Sequence, residues 1–334
     1  MRVHGRAGLD RSGQGPRVGN REKVGPVGAV IPVAGRRPPR DWARQNDRLR
    51  NMGDVTVLFD VRFLKELRDV TRGRAYRRPI FECAYTVSAL FHLPLRQTEG
   101  FLRSMFTMLE REPDLVPDYT TIHRHRTRVK PPALPAVSGG VCLIVDATGC
   151  QVKGGSTWMF DKPGATDQRR ARYVKLHLGI DANTGIPVAS LITPSHGSGS
   201  GDASVGPRLI SEAADHLYAC GGHLTGGIGD GAYDTTNCYQ RSRARGGPWL
   251  APPAKKARRG LHPDRDRHID GRARLGDRYL DQVGYHQRSC VEATFGAMKR
   301  TVKLSSRAST FEQQTAEIGW QVHVYAQHLA NTPR

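Results

Sequence analysis

The hydrophobic period changes once along this chain, and that change limits its possible folds more than any other feature. Across residues 42–129, apolar side chains recur at helical spacing. After the Pro- and Gly-rich stretch PPALPAVSGG at 131–140, short apolar runs and alternating segments typical of β-strands take over. We therefore predict a helical region joined by a linker to an α/β domain.

The length of 334 residues is enough for two domains with one sizeable core. Residues 1–40 are rich in Gly, Pro and Arg and lack any periodicity, so they are predicted to form a disordered basic arm. The helical region is placed at 41–130, the linker at 131–140 and the α/β domain at 141–334.

The charge balance points to a polyanionic partner. Lysine and arginine total 51 against 31 acidic residues, a formal net charge of +20. Nucleic acid is the favoured partner for such a surplus, and an anionic membrane surface is the weaker alternative. No apolar run of about 20 residues is present, so no membrane-spanning helix is predicted.

The cysteines indicate the compartment. The six cysteines form neither a CxxC pair nor a zinc-finger spacing. They are typical of thiols in a reducing cytoplasm rather than of a disulfide framework. A cytoplasmic protein associated with the nucleoid is the resulting prediction.

Three helices are predicted in the helical region. The segment 79–92 opens with a proline at a helix-start position. The next helix, 95–110, places Phe101, Met105 and Met108 or Leu109 on one face. After a break at EPDLVPD, the short segment YTTIHRHRTRV carries basic side chains that suit the third helix of a helix-turn-helix reader of DNA. The expected DNA contacts are His123, Arg124, Arg126 and Arg128; a small helical bundle with a basic surface is the alternative.

The α/β domain begins with three strand-like segments. GVCLIVDATG is an apolar run, YVKLHLGID alternates, and PVASLIT follows a predicted turn at Asn183-Thr-Gly185. Helices and strands then alternate: LTGGIGDGAY and PWLAPP read as strands, and a capping box at Ser309-Thr-Phe-Glu312 opens the last helix. This order predicts a mixed sheet flanked by helices and matches the ribonuclease-H-like fold, although other α/β sheets share the pattern.

Three carboxylates stand out in this domain. Asp146 ends the first core strand, Asp230 ends the strand before Gly-Ala-Tyr-Asp, and Glu292 lies on a late helix. Acids that follow apolar strands point to the edge where open α/β sheets place their sites. Facing carboxylates repel unless a cation lies between them, and Mg²⁺ prefers oxygen ligands. Two such ions about 3.5–4 Å apart can drive phosphodiester displacement.

Other aspartates compete for these roles. Asp146 could cap a turn instead. Asp234 lies four residues after Asp230 but precedes Thr-Thr-Asn at a helix start, where an N-cap role is the better interpretation. Asp181 is interpreted as a turn residue and Asp202 as a loop acid.

A stripe of polar residues surrounds Glu292. On an α-helix, the side chains of Tyr285, Arg288, Glu292 and Lys299 fall within roughly 60° of one another. The neighbouring sector is apolar and would hold the helix on a core through Val291, Phe295 and Met298. Arg288 and Lys299 could bind the phosphate backbone, and Tyr285 could donate a hydrogen bond or stack. A solvated salt-bridge face is the alternative.

A second basic stretch precedes this stripe. Residues 254–284 are interpreted as a highly charged, Arg-rich connection, and its basic part, 254–278, is expected to follow DNA phosphates. Its expected contacts are Lys255, Lys256, Arg258, Arg259, Arg265 and Arg267. A solvated loop is the alternative.

The spacing Tyr-(2)-Arg-(3)-Glu-(6)-Lys at 285–299 resembles the signature helix of bacterial insertion-sequence DDE transposases. Further stretches resemble the insertion-sequence-five family, in order RQTEGFLRSMFTML, PDYTTIHRHR, DATG, KLHLGIDANTGIPVASLIT and GDGAYDTTNCY. The resemblance extends over residues 42–329. Any one of these pieces is a weak signal, whereas the four-residue signature with both upstream aspartates in order is strong.

The resemblance implies an N-terminal DNA-binding region and a ribonuclease-H-like catalytic domain. It implies Mg²⁺-dependent cleavage at terminal inverted repeats, with Mn²⁺ as a possible substitute, followed by attack of the freed 3′-OH on target DNA. Carried over by position, Asp146, Asp230 and Glu292 are the catalytic metal ligands. The companion stripe residues then contact double-stranded DNA, and assembly on paired ends implies at least a dimer. A DNA-binding repressor without activity and a nuclease that does not join strands are the alternatives.

Overall fold

The computed structural model of the chain describes residues 76–153, 173–254 and 256–331, together with residues 43, 46, 47 and 50. The predictions for the arm at 1–40 and for Lys255 lie outside the described residues. In the described part, no helix combines the length and the apolar character needed to cross a lipid bilayer.

The three predicted helices of the N-terminal region are present. They are α1 (Arg78–Phe91), α2 (Leu95–Met108) and α3 (Tyr119–His125). Pro79 occupies the first turn of α1, where its missing N–H leaves no intrahelical hydrogen bond unmade. Asp118 caps α3 by accepting hydrogen bonds from the backbone N–H groups of Thr120 and Thr121.

The buried face of α2 is not the predicted apolar one. Thr98, Leu102 and Phe106 are buried against the neighbouring helices. Phe101 is 36% exposed and Met108 is 75% exposed. Apolar spacing identified a helix correctly, but two apolar stripes were present and the packing of α1 and α3 decided which became core.

The α/β domain is built on one mixed sheet. Its strands are β1 (Gly139–Val152), β2 (Tyr173–Asp181), β3 (Pro187–Pro194), β4 (Gly222–Ile228), β5 (Trp249–Leu250) and β6 (Ser305–Ser306). The order is β3-β2-β1-β4-β5, with β6 paired to the far half of β1. β2 is antiparallel to both β1 and β3, whereas β4, β5 and β6 extend the sheet in parallel. This is the predicted ribonuclease-H-like fold.

Among the residues that the structure describes, six α-helices accompany the sheet. They are α4 (Asp202–Ala219), α5 (Thr236–Ala244), α6 (Pro263–Leu275), α7 (Arg278–Gln282), α8 (Ser289–Thr301) and α9 (Phe311–Ala330). The helices α6 and α7 occupy a stretch predicted as an irregular connection. The hydrophobic period is missing there because α6 buries mainly polar side chains, among them Asp264, Arg265 and His268.

The linker and the cap of α9 also differ from the prediction. The last two residues of 131–140 belong to β1, and the carbonyl oxygen of Pro135 lies 3.0 Å from Nε2 of His216. The segment is therefore packed against the α/β domain. Thr310, rather than Ser309, caps α9 by accepting a hydrogen bond from the N–H of Gln313.

The helix α9 contributes to two hydrophobic cores. Most of its buried apolar side chains join the core under the sheet, but Trp320 packs into the N-terminal helical cluster. The indole Nε1 of Trp320 donates a hydrogen bond to the carbonyl oxygen of Val129 at 3.3 Å. The domain boundary predicted at 131–140 stays a prediction, because α9 contributes side chains to both cores.

Candidate active site

Strand register brings the first two acids together. In the parallel pair of β1 and β4, the last matched residues are Ile144 and Ile228. Asp146 and Asp230 each follow two residues later, so equal advance along parallel strands places them side by side. Asp146 does not end its strand as predicted, because β1 continues to Val152. Because β4 ends at Ile228, it does not pair with β1 beside Asp146, and this leaves room for the site.

Asp230 is held by a short turn. Its side chain caps the 3₁₀ turn Gly231–Tyr233, with Oδ1 accepting a hydrogen bond from the N–H of Ala232 at 2.9 Å. Tyr233 at the end of the turn is fully buried, and its carbonyl oxygen accepts a hydrogen bond from Nε1 of Trp249. These contacts anchor the backbone that carries Asp230.

Glu292 lies in the first turn of α8. The stripe predicted on a single helix is divided, because Tyr285–Arg288 forms a 3₁₀ turn and α8 begins at Ser289. The predicted core contacts of α8 are buried, namely Val291, Phe295 and Met298. They turn the opposite face of α8 outward, which leaves the Glu292 side chain 58% exposed.

The guanidinium of Arg288 joins all three acids. Nη1 lies 2.6 Å from Oε1 of Glu292, and Nη2 lies 2.9 Å from Oδ2 of Asp146. The same Nη2 is 4.0 Å from Oδ2 of Asp230. Although Arg288 and Asp146 are 142 residues apart in the sequence, the fold gathers the three predicted acids around one cation.

Electrostatics at the site reflect partial burial and mutual repulsion. Burial raises the pKa of Asp146, and the charges of Asp230 and Glu292 raise it further against the opposing effects of the Ala147 N–H and Arg288. Burial likewise raises the pKa of the Tyr285 hydroxyl. Negative charge at this position is therefore costly and is only partly balanced by Arg288.

The donor set fits a hard divalent cation. It consists of three carboxylates, without thiolates or imidazoles, and Mg²⁺ prefers such oxygen ligands. A divalent ion would also favour the ionised form of Asp146, whose pKa is raised. Within the described ranges, however, no three carboxylate, imidazole or thiol groups form a ready-made metal cluster. The acids are joined through Arg288 instead.

Asp234 and Arg265 form an ion pair that the sequence did not reveal. Nε and Nη2 of Arg265 each lie 2.8 Å from an oxygen of Asp234, and both side chains are less than 10% exposed. Arg265 therefore does not follow phosphates, and Asp234 is not the N-cap of α5, a position held by Thr235. The pair ties the segment after Asp230 to α6.

Asp202 has a structural role that its interpretation as a loop acid did not predict. It begins α4 rather than lying in a loop, and it accepts a hydrogen bond from Nζ of Lys175 at 2.8 Å. Nδ1 of the buried His177 lies 3.2 Å from Oδ1 of Asp202, and the Tyr233 hydroxyl lies 3.5 Å from the same oxygen. An acid just before a helical pattern was the available signal. Asp181 is a turn residue as predicted, accepting from the N–H groups that follow it.

The predicted contacts of α3 divide into two groups. His123, Arg124 and Arg128 are exposed. Arg126 is 7% exposed, and its Nη1 lies 3.6 Å from Oε2 of Glu317 in α9. The prediction that Arg126 contacts DNA is therefore corrected, because the side chain is enclosed where α3 meets α9.

The remaining predicted contacts lie on the surface. Lys256, Arg258 and Arg259 are exposed, and Arg259 pairs with Asp270 of α6. Arg267 pairs with the buried Asp264. Lys299 is exposed in the last turn of α8.

The sheet topology and the clustered acids define a ribonuclease-H-like enzyme acting on nucleic acid. A family model described as "Transposase DDE domain" matches residues 138–326, more than half of the chain, and a second model with the same description matches residues 50–155. The chain therefore belongs to the DDE transposases, enzymes that cleave DNA and transfer the cut strand.

One solved structure is also similar. It is a piggyBac transposase synaptic complex with hairpin DNA, 10% identical, with a TM-score of 0.41. The match covers 89% of this chain and 77% of that chain. Likeness at this TM-score supports no inference, so the assignment rests on the family match.

Proposed function

We propose that Asp146, Asp230 and Glu292 hold two divalent metal ions and that the protein cuts and rejoins the ends of an insertion sequence. The observation that carries this proposal is the convergence of the three carboxylates on one guanidinium. Bound Mg²⁺ or Mn²⁺ would supply activation of the attacking oxygen and stabilisation of the leaving oxygen.

The three acids differ in rigidity. Asp146 lies inside a paired strand, and its Oδ1 accepts a hydrogen bond from the N–H of Ala147 at 2.8 Å. Asp230 is held by its cap on the following turn. Glu292 is the more exposed ligand and approaches from the helix side. Two preorganised oxygens and one adjustable oxygen favour capture of an ion without rearrangement of the sheet.

Basic side chains near these acids support a path for double-stranded DNA. Lys299 follows Glu292 by seven residues, or about 10 Å along α8, and would bind a phosphate beside the cut. Tyr285, half-buried near the acids, would donate a hydrogen bond. More distant contacts are proposed on α3 and on the basic stretch before α6, namely His123, Arg124, Arg128, Lys255, Lys256, Arg258 and Arg259.

The finer biological proposal follows from the resemblance of the sequence. The protein belongs to the insertion-sequence-five group, binds terminal inverted repeats and target DNA, and works as at least a dimer on paired ends. This activity takes place at the nucleoid of a bacterial cytoplasm. The formal net charge of +20 supports binding to DNA over a wide surface.

A cleavage and joining assay tests the proposal. Labelled duplexes carrying the DNA that flanks the coding region are incubated with protein and Mg²⁺, with a shuffled duplex as control. The wild type is expected to nick the flanking duplex and to produce joined strands. D146N, D230N and E292Q should each lose at least about 100-fold in cleavage rate while still binding DNA. D215N removes an exposed aspartate outside the site and should retain activity.

The same assay separates the two alternatives. Binding of the flanking duplex without nicking would indicate a repressor derived from a transposase. Nicks without joined products would indicate a nuclease. Full cleavage by any one of the three site variants would remove that acid from the proposed metal site.

A further inference from the structure

The position of Arg288 suggests a second role for this side chain. We infer that Arg288 is a built-in competitor of the divalent ion: its guanidinium must leave the carboxylates before a metal ion can be held there. The inference rests on the proposed function, because it takes Asp146, Asp230 and Glu292 as the metal ligands.

The contested atoms are identifiable. One carboxylate oxygen of each aspartate is occupied by a backbone N–H, namely Oδ1 of Asp146 and Oδ1 of Asp230. The other aspartate oxygens and Oε1 of Glu292 face Arg288. Two oxygens suited to a metal ion, Oδ2 of Asp146 and Oε1 of Glu292, are therefore already hydrogen-bonded to Arg288, and Oδ2 of Asp230 lies 4.0 Å from it.

Distance makes the two cations mutually exclusive. Mg²⁺ binds oxygen at about 2.0–2.1 Å, and it demands near-ideal octahedral geometry. The Arg288 nitrogens lie 2.6 Å and 2.9 Å from two of the same oxygens. An ion shared by these oxygens would meet a like-charged guanidinium at close contact, so one cation has to displace the other.

Charge explains why displacement is favourable. The three carboxylates carry three negative charges, of which one guanidinium balances one and a divalent ion would balance two. The Arg288 side chain is only 22% exposed, so the repulsion is less screened than on an open surface. Arg288 thus stabilises the carboxylates without fully balancing them.

Release of Arg288 has a consequence for DNA. The side chain is tethered in the turn before α8, so a displaced guanidinium stays at the mouth of the site. There it can form paired hydrogen bonds with a phosphate. Metal binding and phosphate binding would therefore strengthen each other, because both favour the position of Arg288 away from the carboxylates.

Mg²⁺ binding to the purified full-length protein without DNA tests the inference. Calorimetry is performed on the wild type, R288Q, R300Q and D146N. R300Q is the matched control, since Arg300 is an exposed basic residue at the far end of α8, the helix that follows Arg288. R288Q is expected to bind Mg²⁺ about tenfold more tightly than the wild type, the scale of one charge-assisted hydrogen bond. R300Q should change the affinity by less than about twofold.

A second readout guards against misfolding of R288Q. R288K keeps the charge but cannot bridge several carboxylates, and it should bind Mg²⁺ about threefold more tightly than the wild type. Without Mg²⁺, R288Q should melt below R300Q, and saturating Mg²⁺ should raise the melting temperature of R288Q more than that of R300Q.

The outcomes separate the two proposals. Weakened binding in D146N together with tighter binding in R288Q and R288K supports both. Weakened binding in D146N with R288Q no tighter than R300Q overturns the role of Arg288 alone. Mg²⁺ binding that survives D146N overturns the metal site itself, and the inference about Arg288 falls with it.

Discussion

Replacing Arg265 by methionine tests the buried ion pair beside the active site. Arg265 holds Asp234 through two contacts of 2.8 Å and donates a third hydrogen bond to the carbonyl oxygen of Arg258, also at 2.8 Å. The Arg265 and Asp234 side chains are 8% and 7% exposed. R265M would therefore leave the buried Asp234 carboxylate without its cation and with the Tyr239 hydroxyl, at 3.2 Å, as a hydrogen-bond donor.

The expected loss of stability is large. Removing one partner of a buried ion pair costs about 3–5 kcal/mol, because the remaining charge is left without compensation. At roughly 2–4 °C per kcal/mol for a domain of this size, the melting temperature should fall by about 6–20 °C. The segment that follows Asp230 would be loosened as well.

Urea unfolding followed by tryptophan fluorescence measures this loss. The matched control is R259M, which breaks the pair between Arg259 and Asp270 of α6, the helix that also carries Arg265. That pair is 64% and 44% exposed, so its removal should cost less than about 1 kcal/mol. Comparison of the two variants isolates the effect of burial from the effect of charge.

A double variant makes the reasoning refutable. In R265M/D234L both charges are replaced by apolar groups, so the loss should be smaller than in R265M alone. An R265M protein within about 0.5 kcal/mol of the wild type would refute the structural role. It would restore the reading of Arg265 as a surface residue available to phosphates.

Three further predictions test other parts of the structure. Burial alone would raise the pKa of Asp202, but His177 and Lys175 lower it to about 2. Ionised Asp202 therefore stabilises the fold fully above the ordinary pKa of an aspartate, and this stabilisation is lost as the pH falls towards 2. D202N should cost about 2 kcal/mol in urea unfolding at pH 7, with a smaller difference from the wild type at pH 3; an equal difference at both pH values would contradict this. G271A should destabilise by about 1–3 kcal/mol, because a Cβ there would meet a buried tyrosine ring at 2.1 Å. G296A is the control, because its Cβ would make only an ordinary contact, and it should be neutral or stabilising. Equal melting temperatures of G271A and G296A would count against the packing of α6 on α7. R124Q/R128Q should weaken DNA binding and reduce the slope of log affinity against log salt by about 2, and an unchanged slope would remove α3 from the interface.

Much of the fold was predictable because its signals are local. Alternation of apolar residues identified β2, an apolar run identified β1, and a glycine-bearing segment was interpreted correctly as β4. Helical spacing identified α8 and its buried face. A strand or helix imposes its own period on neighbouring residues, so such elements can be read without knowledge of their partners.

Helices stabilised by distant ion pairs were not predictable in this way. The helix α6 buries charged residues that are matched by acids and bases from elsewhere in the chain. Its sequence therefore resembles a solvated connection. The burial of Arg126 against Glu317 has the same origin, since the acid lies on a helix nearly two hundred positions later.

The amino-acid sequence by itself determined which acids stand at the ends of apolar runs and which side chains share the face of α8. Only the tertiary structure decided that Asp146, Asp230 and Glu292 meet, that Arg288 lies between them, and that Asp234 is paired elsewhere. The physical reason is the distance along the chain over which each effect acts. Backbone periodicity acts over a few residues, whereas a site formed by charges depends on strand register and helix packing between segments far apart in the chain.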